Sequence, residues 1–242
     1  MENAIEVRGL TKRYDGRAVV NGLHLTVRRG TVFGLLGANG AGKSTSIECM
    51  LGTRKAESGT VRLLGQDPGR NRRALMERIG VQFQEGDYQQ EIRVEELCEE
   101  TACLYRNHAD WRALLRRFGL GEKERSAVRS LSGGQRQRLF IVLALIPQPE
   151  LVFLDELTTG LDARARREIW QLLASLRDQG LTILLTSHFM DEVEALCDAI
   201  CILRRGKTVF TGTVEEAKAR CGCTDFEDAY LMLSEDEKGE IA

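Results

Sequence analysis

The stretch Gly37-Ala38-Asn39-Gly40-Ala41-Gly42-Lys43-Ser44-Thr45 restricts what this chain can fold into more than any other. It follows the apolar run Thr31 to Leu36, which reads as a buried strand, and precedes Ile47, Met50 and Leu51 at helical spacing. A G-x-x-x-x-G-K-[ST] pattern between a strand and a helix is the context of a phosphate-binding loop. Glycines at 37, 40 and 42 let backbone N–H groups turn inward around an anion. The helix behind them adds the positive end of its dipole. Lys43 then reaches the β- and γ-phosphates of a nucleotide, and the Ser44 hydroxyl takes a coordination position on Mg²⁺. The plainer alternative is a glycine-rich turn that only joins strand to helix, and the rest of the chain decides between the two.

Such a loop needs an α/β frame. Residues 4–13 and 17–28 alternate apolar and polar around Asp15-Gly16 and predict a β-hairpin. Strands are expected at Thr60–Leu64 and Ile79–Phe83, with a polar helix over 71–78 between them. From Glu85 to about Ala127 strand signals vanish, and Val94, Leu97, Cys98 and Ala102 keep helical spacing. Helices are predicted over 94–106 and 111–118. No flexible linker bounds this stretch, so it reads as a helical subdomain, about 85–150, inserted within a single domain of residues 1–242. A helix from about Gln135 to Leu145 stops at Pro147, and Leu151 to Leu154 is a buried strand. An amphipathic helix (164–176), a strand (181–185), a helix (190–196) and a hairpin (199–203 with 207–211) follow. Two short helices close the chain, and the acidic tail, about 234–242, reads as frayed. Strands alternating with helices predict an α/β core with a mostly parallel sheet and an N-terminal antiparallel β-subdomain.

Charge and cysteine content exclude several classes of function. The net charge is −2 although 29% of residues are charged, so no global field draws the chain to nucleic acid. No apolar run approaches the roughly 18 residues that span a bilayer, and Met1 to Glu6 lacks a signal-peptide core. A cytoplasmic protein is expected. The seven cysteines show no Cys-x-x-Cys spacing. Cys221 and Cys223 are the one pair placed to share a metal, but no His or further Cys lies nearby, so packed, reduced thiols are the better expectation.

Two further motifs complement the loop. Asp155-Glu156 ends the apolar strand at Leu151 to Leu154. An Asp there can hold the Mg²⁺ of a bound nucleotide, and the neighbouring Glu can polarise an attacking water. An acidic pair that merely caps a helix is the bland alternative. Leu131-Ser132-Gly133-Gly134-Gln135 places a hydroxyl and two glycine N–H groups at a helix start, a second anion-binding terminus. One nucleotide has a single γ-phosphate, so two such termini need explaining. A head-to-tail pair of subunits does so, each closing its second terminus over the nucleotide in its partner's loop.

These residues make the chain resemble the ATP-binding subunits of ABC transporters over about residues 4–233. The phosphate loop matches the Walker A motif, Leu151 to Glu156 Walker B, and Leu131 to Gln135 the family signature. Gln84 matches the Q-loop glutamine, Leu161-Asp162 the D-loop, His188 the switch histidine, and Tyr14 the aromatic that stacks on adenine. Taken singly, a Tyr at a strand end or a lone His is more often packed or solvated; the order and spacing of all seven motifs give these two their meaning. His24 and His108 have no motif support and read as structural or surface residues.

The resemblance implies a P-loop NTPase core that hydrolyses ATP with Mg²⁺. Residues 37–45 and Tyr14 would bind nucleotide; Ser44, Gln84 and Asp155 would hold the metal. Glu156 would act as general base, with His188 and Gln84 beside the γ-phosphate. Ser132, Gly133, Gly134, Gln135 and Asp162 would contact nucleotide in the partner subunit, a second copy or a homologous ATPase. Transmembrane permease subunits are implied, placing the protein in the cytoplasm, peripheral on the inner face of the cell membrane. Phe83, Tyr88, Ile92, Leu104 and Tyr105 would supply the surface that meets the permease. Two departures stand out. The family usually has Pro where this chain has Leu157, which predicts a looser D-loop turn, and many members carry Arg where it has Leu143. Thr158-Thr159-Gly160, Met190 to Ala195 and Phe226 to Tyr230 resemble the bacterial exporter branch handling drugs, antibiotics or peptides. The rivals are a soluble ABC ATPase, with iron–sulfur assembly harder to exclude than translation or DNA repair, and a regulatory module without turnover, against which intact Glu156 and His188 argue.

Overall fold

Alternating and continuous apolar runs sort the strands into two sheets. The structure is a computed structural model that describes residues 2–83, 89 and 91–234. Gln84, Tyr88 and the acidic tail from 235 onward lie outside the described residues. Strands β1 (Asn3–Tyr14) and β2 (Arg17–Arg28) pair antiparallel, with Ile5 opposite Val27 and Val7 opposite Leu25. Their partner sheet begins with β3 (Val32–Leu36), while β4 (Ser58–Leu63) returns to pair with β1, giving the order β2-β1-β4. The second sheet adds β5 (Ile79–Gln82), β6 (Leu151–Asp155), β7 (Thr182–Thr186), β8 (Ala199–Arg204) and β9 (Lys207–Gly212). Its order is β5-β6-β7-β3-β8-β9, parallel except for the β8–β9 hairpin. Every residue of β3, β6 and β7 is buried, as continuous apolar strands covered on both faces must be.

The two-residue period of a strand then divides the interior. Val32, Val152, Leu154, Ile183 and Leu185 face one core, which they share with helices α3 (Val94–Cys103), α4 (Trp111–Arg117) and α5 (Gly133–Leu145). Phe33, Leu35, Phe153 and Leu184 face the other, packed with α1 (Lys43–Met50) and the β1–β2 hairpin. The helical lobe thus packs directly on the sheet that carries the loop. Closest approach comes where α5 ends: a Cβ at Gly80 of β5 would sit 2.0 Å from the Ala144 carbonyl oxygen. Only glycine lets the helix settle there.

The remaining helices are α2 (Pro68–Met76), α6 (Ala163–Asp178), α7 (Met190–Leu196), α8 (Val214–Cys221) and α9 (Phe226–Ser234). Helix α2 starts before the predicted 71–78 because Asp67 caps it, accepting from the Gly69 N–H at 2.8 Å, with Pro68 at its first position. Cys221 and Cys223 sit at the α8–α9 junction, the Cys221 thiol donating to the Ala229 carbonyl and Cys223 lying 3.5 Å from Met232 Sδ. Ile92 corrects the surface reading: it is 8% exposed and belongs to the lobe's own core beside Val94 and Leu120. Phe83 and Leu104 are exposed, and Tyr105 packs partly against that core.

Candidate active site

Parallel strands β3, β6 and β7 end side by side, with Gly34 opposite Leu185 and Asp155 opposite Thr186. Their carboxyl ends therefore bring the loop after Leu36, the Asp155-Glu156 pair and Ser187-His188 to one crevice, where open α/β sheets take their ligands.

The loop is held in a conformation that needs glycine. Gly42 has φ +103, and a Cβ there would lie 2.4 Å from the Val19 carbonyl oxygen. Helix α1 opens at Lys43, whose side chain is only 5% exposed and folds back over the loop. Its ammonium donates to the Gly37 carbonyl at 2.7 Å and the Ala38 carbonyl at 3.3 Å. Burial lowers the Lys43 pKa, and the charges of Glu156 and Asp155 oppose that shift. Ser44, Ala38, Asn39 and Gly40 are exposed, Thr45 is half-buried and Ala41 is buried. A cavity of about 640 Å³ opens beside the loop, walled by Arg17, Val19, Asn39, Gly40, Arg204 and Arg205.

Asp155 and Glu156 diverge, and the backbone explains how. Asp155 is buried, its Oδ1 accepting from the Thr186 hydroxyl at 2.5 Å. Glu156 adopts φ +51, left-handed for a residue with a Cβ, a conformation that costs on the order of 1–3 kcal/mol. Its N–H is secured by the Thr186 hydroxyl at 3.0 Å and the Thr186 carbonyl at 3.3 Å. The turned carboxylate has Oε1 3.9 Å from the Lys43 ammonium and hydrogen-bonded to His188 Nε2. Lys43, Glu156 and His188 thus converge. Thr186, which fastens both carboxylate residues, lies in the switch-histidine stretch Thr186-Ser187-His188, but nothing in the sequence gives it that role.

The other expected residues lie around this centre. Tyr14 ends β1 with its ring exposed, flanked by the Lys12 ammonium at 5.1 Å and the Arg54 guanidinium at 5.5 Å from its centroid. Ser132 caps α5 in a reciprocal box: its hydroxyl accepts from the Gln135 N–H at 3.3 Å, and Gln135 Oε1 accepts from the Ser132 N–H at 3.1 Å. A Cβ on Gly133 would lie 3.5 Å from Leu161, and one on Gly134 3.3 Å from Ala165. Asp162 caps α6, accepting from the Ala165 N–H at 2.8 Å. The signature and D-loop segments therefore abut within one chain. Among the described residues no hydrogen bond joins 132–135 to 37–45 within the chain.

The oxygen donors fit Mg²⁺. Buried Asp155 and the exposed Ser44 hydroxyl offer hard ligands, while no group of three or more His, Cys, Asp or Glu among the described residues could hold a metal alone. That sparse set suits an ion bound chiefly through substrate phosphates.

A glycine-rich phosphate loop leaving a parallel sheet, beside a strand ending in two carboxylates, defines a P-loop nucleotide-binding ATPase. The chain belongs to the ABC transporter family, whose family model matches residues 20–159. Nod factor export ATP-binding protein I of Ralstonia nicotianae is 42% identical over 220 residues, covering 88% of this chain and 68% of that protein. A daunorubicin resistance ATP-binding protein of Streptomyces coeruleorubidus is 38% identical over 226 residues, covering 91% of this chain and 72% of that one. A solved structure described as the ATP binding subunit of an ABC transporter superposes with TM-score 0.86 at 26% identity, over 95% of this chain and 99% of that chain. The protein is accordingly an ATP-binding, ATP-hydrolysing subunit of an ABC transporter, of the kind that pairs with transmembrane components. The transport reading stands over the iron–sulfur alternative. Among the described residues no helix is long and apolar enough to cross a membrane.

Proposed function

We propose that this chain, acting over residues 1–242 as one ATP-binding domain with a helical subdomain at about 85–150, drives export by hydrolysing ATP with Mg²⁺. What supports it is the convergence of Lys43, Glu156 and His188 at the loop, together with relatives named for export and drug resistance. The reaction is ATP + H₂O → ADP + phosphate. Lys43 exchanges the Gly37 and Ala38 carbonyls for the β- and γ-phosphates, and the amides of 37–45 neutralise developing charge. Ser44 and Asp155, with Gln84, would hold Mg²⁺, which would supply neutralisation of phosphate charge. Glu156 takes the proton from the attacking water, and His188 orients that carboxylate and meets the γ-phosphate. Tyr14 offers its ring to the adenine.

Exposed Ser132 and Gly133, with Gly134, Gln135 and Asp162, reach the nucleotide of a second copy or a homologous ATPase in a head-to-tail pair. The assembly lies on the cytoplasmic face of the cell membrane against the permease. Coexpression with the permease and assay of inside-out vesicles tests the whole reading. ATP-dependent cargo uptake that stops with Glu156→Gln supports it. Vesicles that hydrolyse ATP while moving cargo only outward from their lumen would overturn export.

A further inference from the structure

Glu192, on the first turn of α7, is an acid the proposed reaction does not use, yet only 3% of it is exposed. A carboxylate so placed requires hydrogen bonds, and it has them. Its Oε1 accepts from the Thr158 hydroxyl and from Trp170 Nε1, each at 2.9 Å. Burial pushes its pKa up, and the hydrogen bonds from Thr158 and Trp170 oppose that shift.

The two donors, Thr158 and Trp170, lie in different segments, and α7 itself follows directly on Ser187-His188-Phe189. Thr158 lies in the turn that follows Glu156, and Trp170 on the helix capped by Asp162. A second tie runs alongside: the Arg166 guanidinium of α6 lies 4.2 Å from the Phe189 ring centroid and 3.6 Å from Asp191. Leu157 in place of Pro predicts a loose D-loop turn. Instead Leu157 and Thr158 are buried, and the Thr158 hydroxyl is fastened to Glu192.

We propose that Glu192 is a positioning residue that joins the turn after Glu156, the switch-histidine segment and α6 into one unit. The alignment of Glu156 with His188 is thereby fixed together with Asp162, which the proposed function sets against the second subunit. The inference rests on the ATPase reading. Its consequence is selective. Nucleotide binding is built by residues 37–45 and does not involve the Glu192 bonds, whereas turnover and its dependence on the second subunit do.

The test compares Glu192→Ala, Glu192→Gln, Thr158→Val and the double variant Glu192→Ala/Thr158→Val in the full chain, with and without its permease. ATP titrations give Kd, and steady-state rates give kcat and the Hill coefficient. Glu192→Ala and Thr158→Val should each lower kcat about tenfold, the size expected from misaligning one hydrogen-bonded group, and flatten the cooperativity. Kd should stay within about twofold of wild type, inside the scatter of independent sites. Glu192→Gln keeps an oxygen acceptor and should restore most of the rate. The double variant should be no slower than the slower single one. Wild-type kcat in Thr158→Val would refute the tie while leaving the ATPase reading intact. So would a Glu192→Gln as slow as Glu192→Ala, with Kd weakened in step. If Glu192→Ala does not fold, Thr158→Val, which loses one hydroxyl, decides the test. A wild-type complex that hydrolyses no ATP would refute the ATPase reading itself.

Discussion

Replacing Glu156 by Gln keeps the side chain's shape and removes a negative charge that lies 3.9 Å from the Lys43 ammonium. Two effects of opposite sign follow. Turnover loses its proton acceptor, so kcat should fall about 10²–10⁴-fold. Binding should move the other way. Two unit charges about 4 Å apart interact by about 4 kcal/mol at an effective dielectric near 20, and here that attraction holds the lysine on the carboxylate while the carboxylate repels incoming phosphates. Solvent and metal screen most of it, leaving a tightening of ATP of about tenfold, or about 1.4 kcal/mol. The pH dependence has a definite sign. Burial lowers the Lys43 pKa and Glu156 is the stronger of the two charges that raise it. Without Glu156 the lysine gives up its proton more readily, so the gain in affinity should shrink as pH rises. Titration with a fluorescent ATP analogue at two pH values, beside single-turnover hydrolysis, measures both. Wild-type turnover, or weaker ATP binding near neutral pH, would refute the assignment of Glu156 and the charge argument respectively.

Lys43→Ala should abolish ATP binding in the same titration, since it removes the cation folded over the loop. Ser132→Arg should leave ATP affinity nearly unchanged but eliminate turnover, because the side chain blocks closure on the second copy; rates independent of protein concentration in the wild type would contradict this. Leu104→Glu, at a site 76% exposed, should weaken pull-down of the permease and spare basal ATPase activity, and undiminished capture would place the docking surface elsewhere. Gly80→Ala should destabilise the fold by about 1–3 kcal/mol through overpacking, seen as a lower unfolding midpoint, because its methyl would meet the Ala144 carbonyl.

Much of this architecture is readable from local chemistry. The apolar strand, glycines and lysine of residues 31–45 admit one arrangement, and Ser132 with Gln135 announces a helix start by its own hydrogen bonds. What is not readable depends on neighbours distant in sequence. Glu192 sits in Met190-Asp191-Glu192-Val193-Glu194, where an acid on a short helix looks solvated, and only Thr158 and Trp170 reveal its burial. The left-handed turn at Glu156 carries no glycine to mark it and is held by Thr186 from the adjacent strand. Ile92 looks like a rim residue because nothing local distinguishes an apolar side chain facing a core from one facing a partner. The early start of α2 is different, since Asp67-Pro68 is itself a helix-start signal and marks the true boundary locally.

Helix α5 has the proportions of a lever. Its Ala144 end rests on Gly80 at a separation no other residue would permit, while its Ser132 end lies exposed at the surface beside the D-loop. With 13 residues the arm is about 20 Å long at about 1.5 Å per residue. Pivoting by about 5° at the Gly80 fulcrum would therefore sweep the Ser132 hydroxyl through about 1.7 Å, on that same rise per residue. Hydrogen bonds are made or lost over a smaller span than that. A slight tilt of the lobe, delivered far from the phosphate loop, is thus enough to engage or release the far end of the rod.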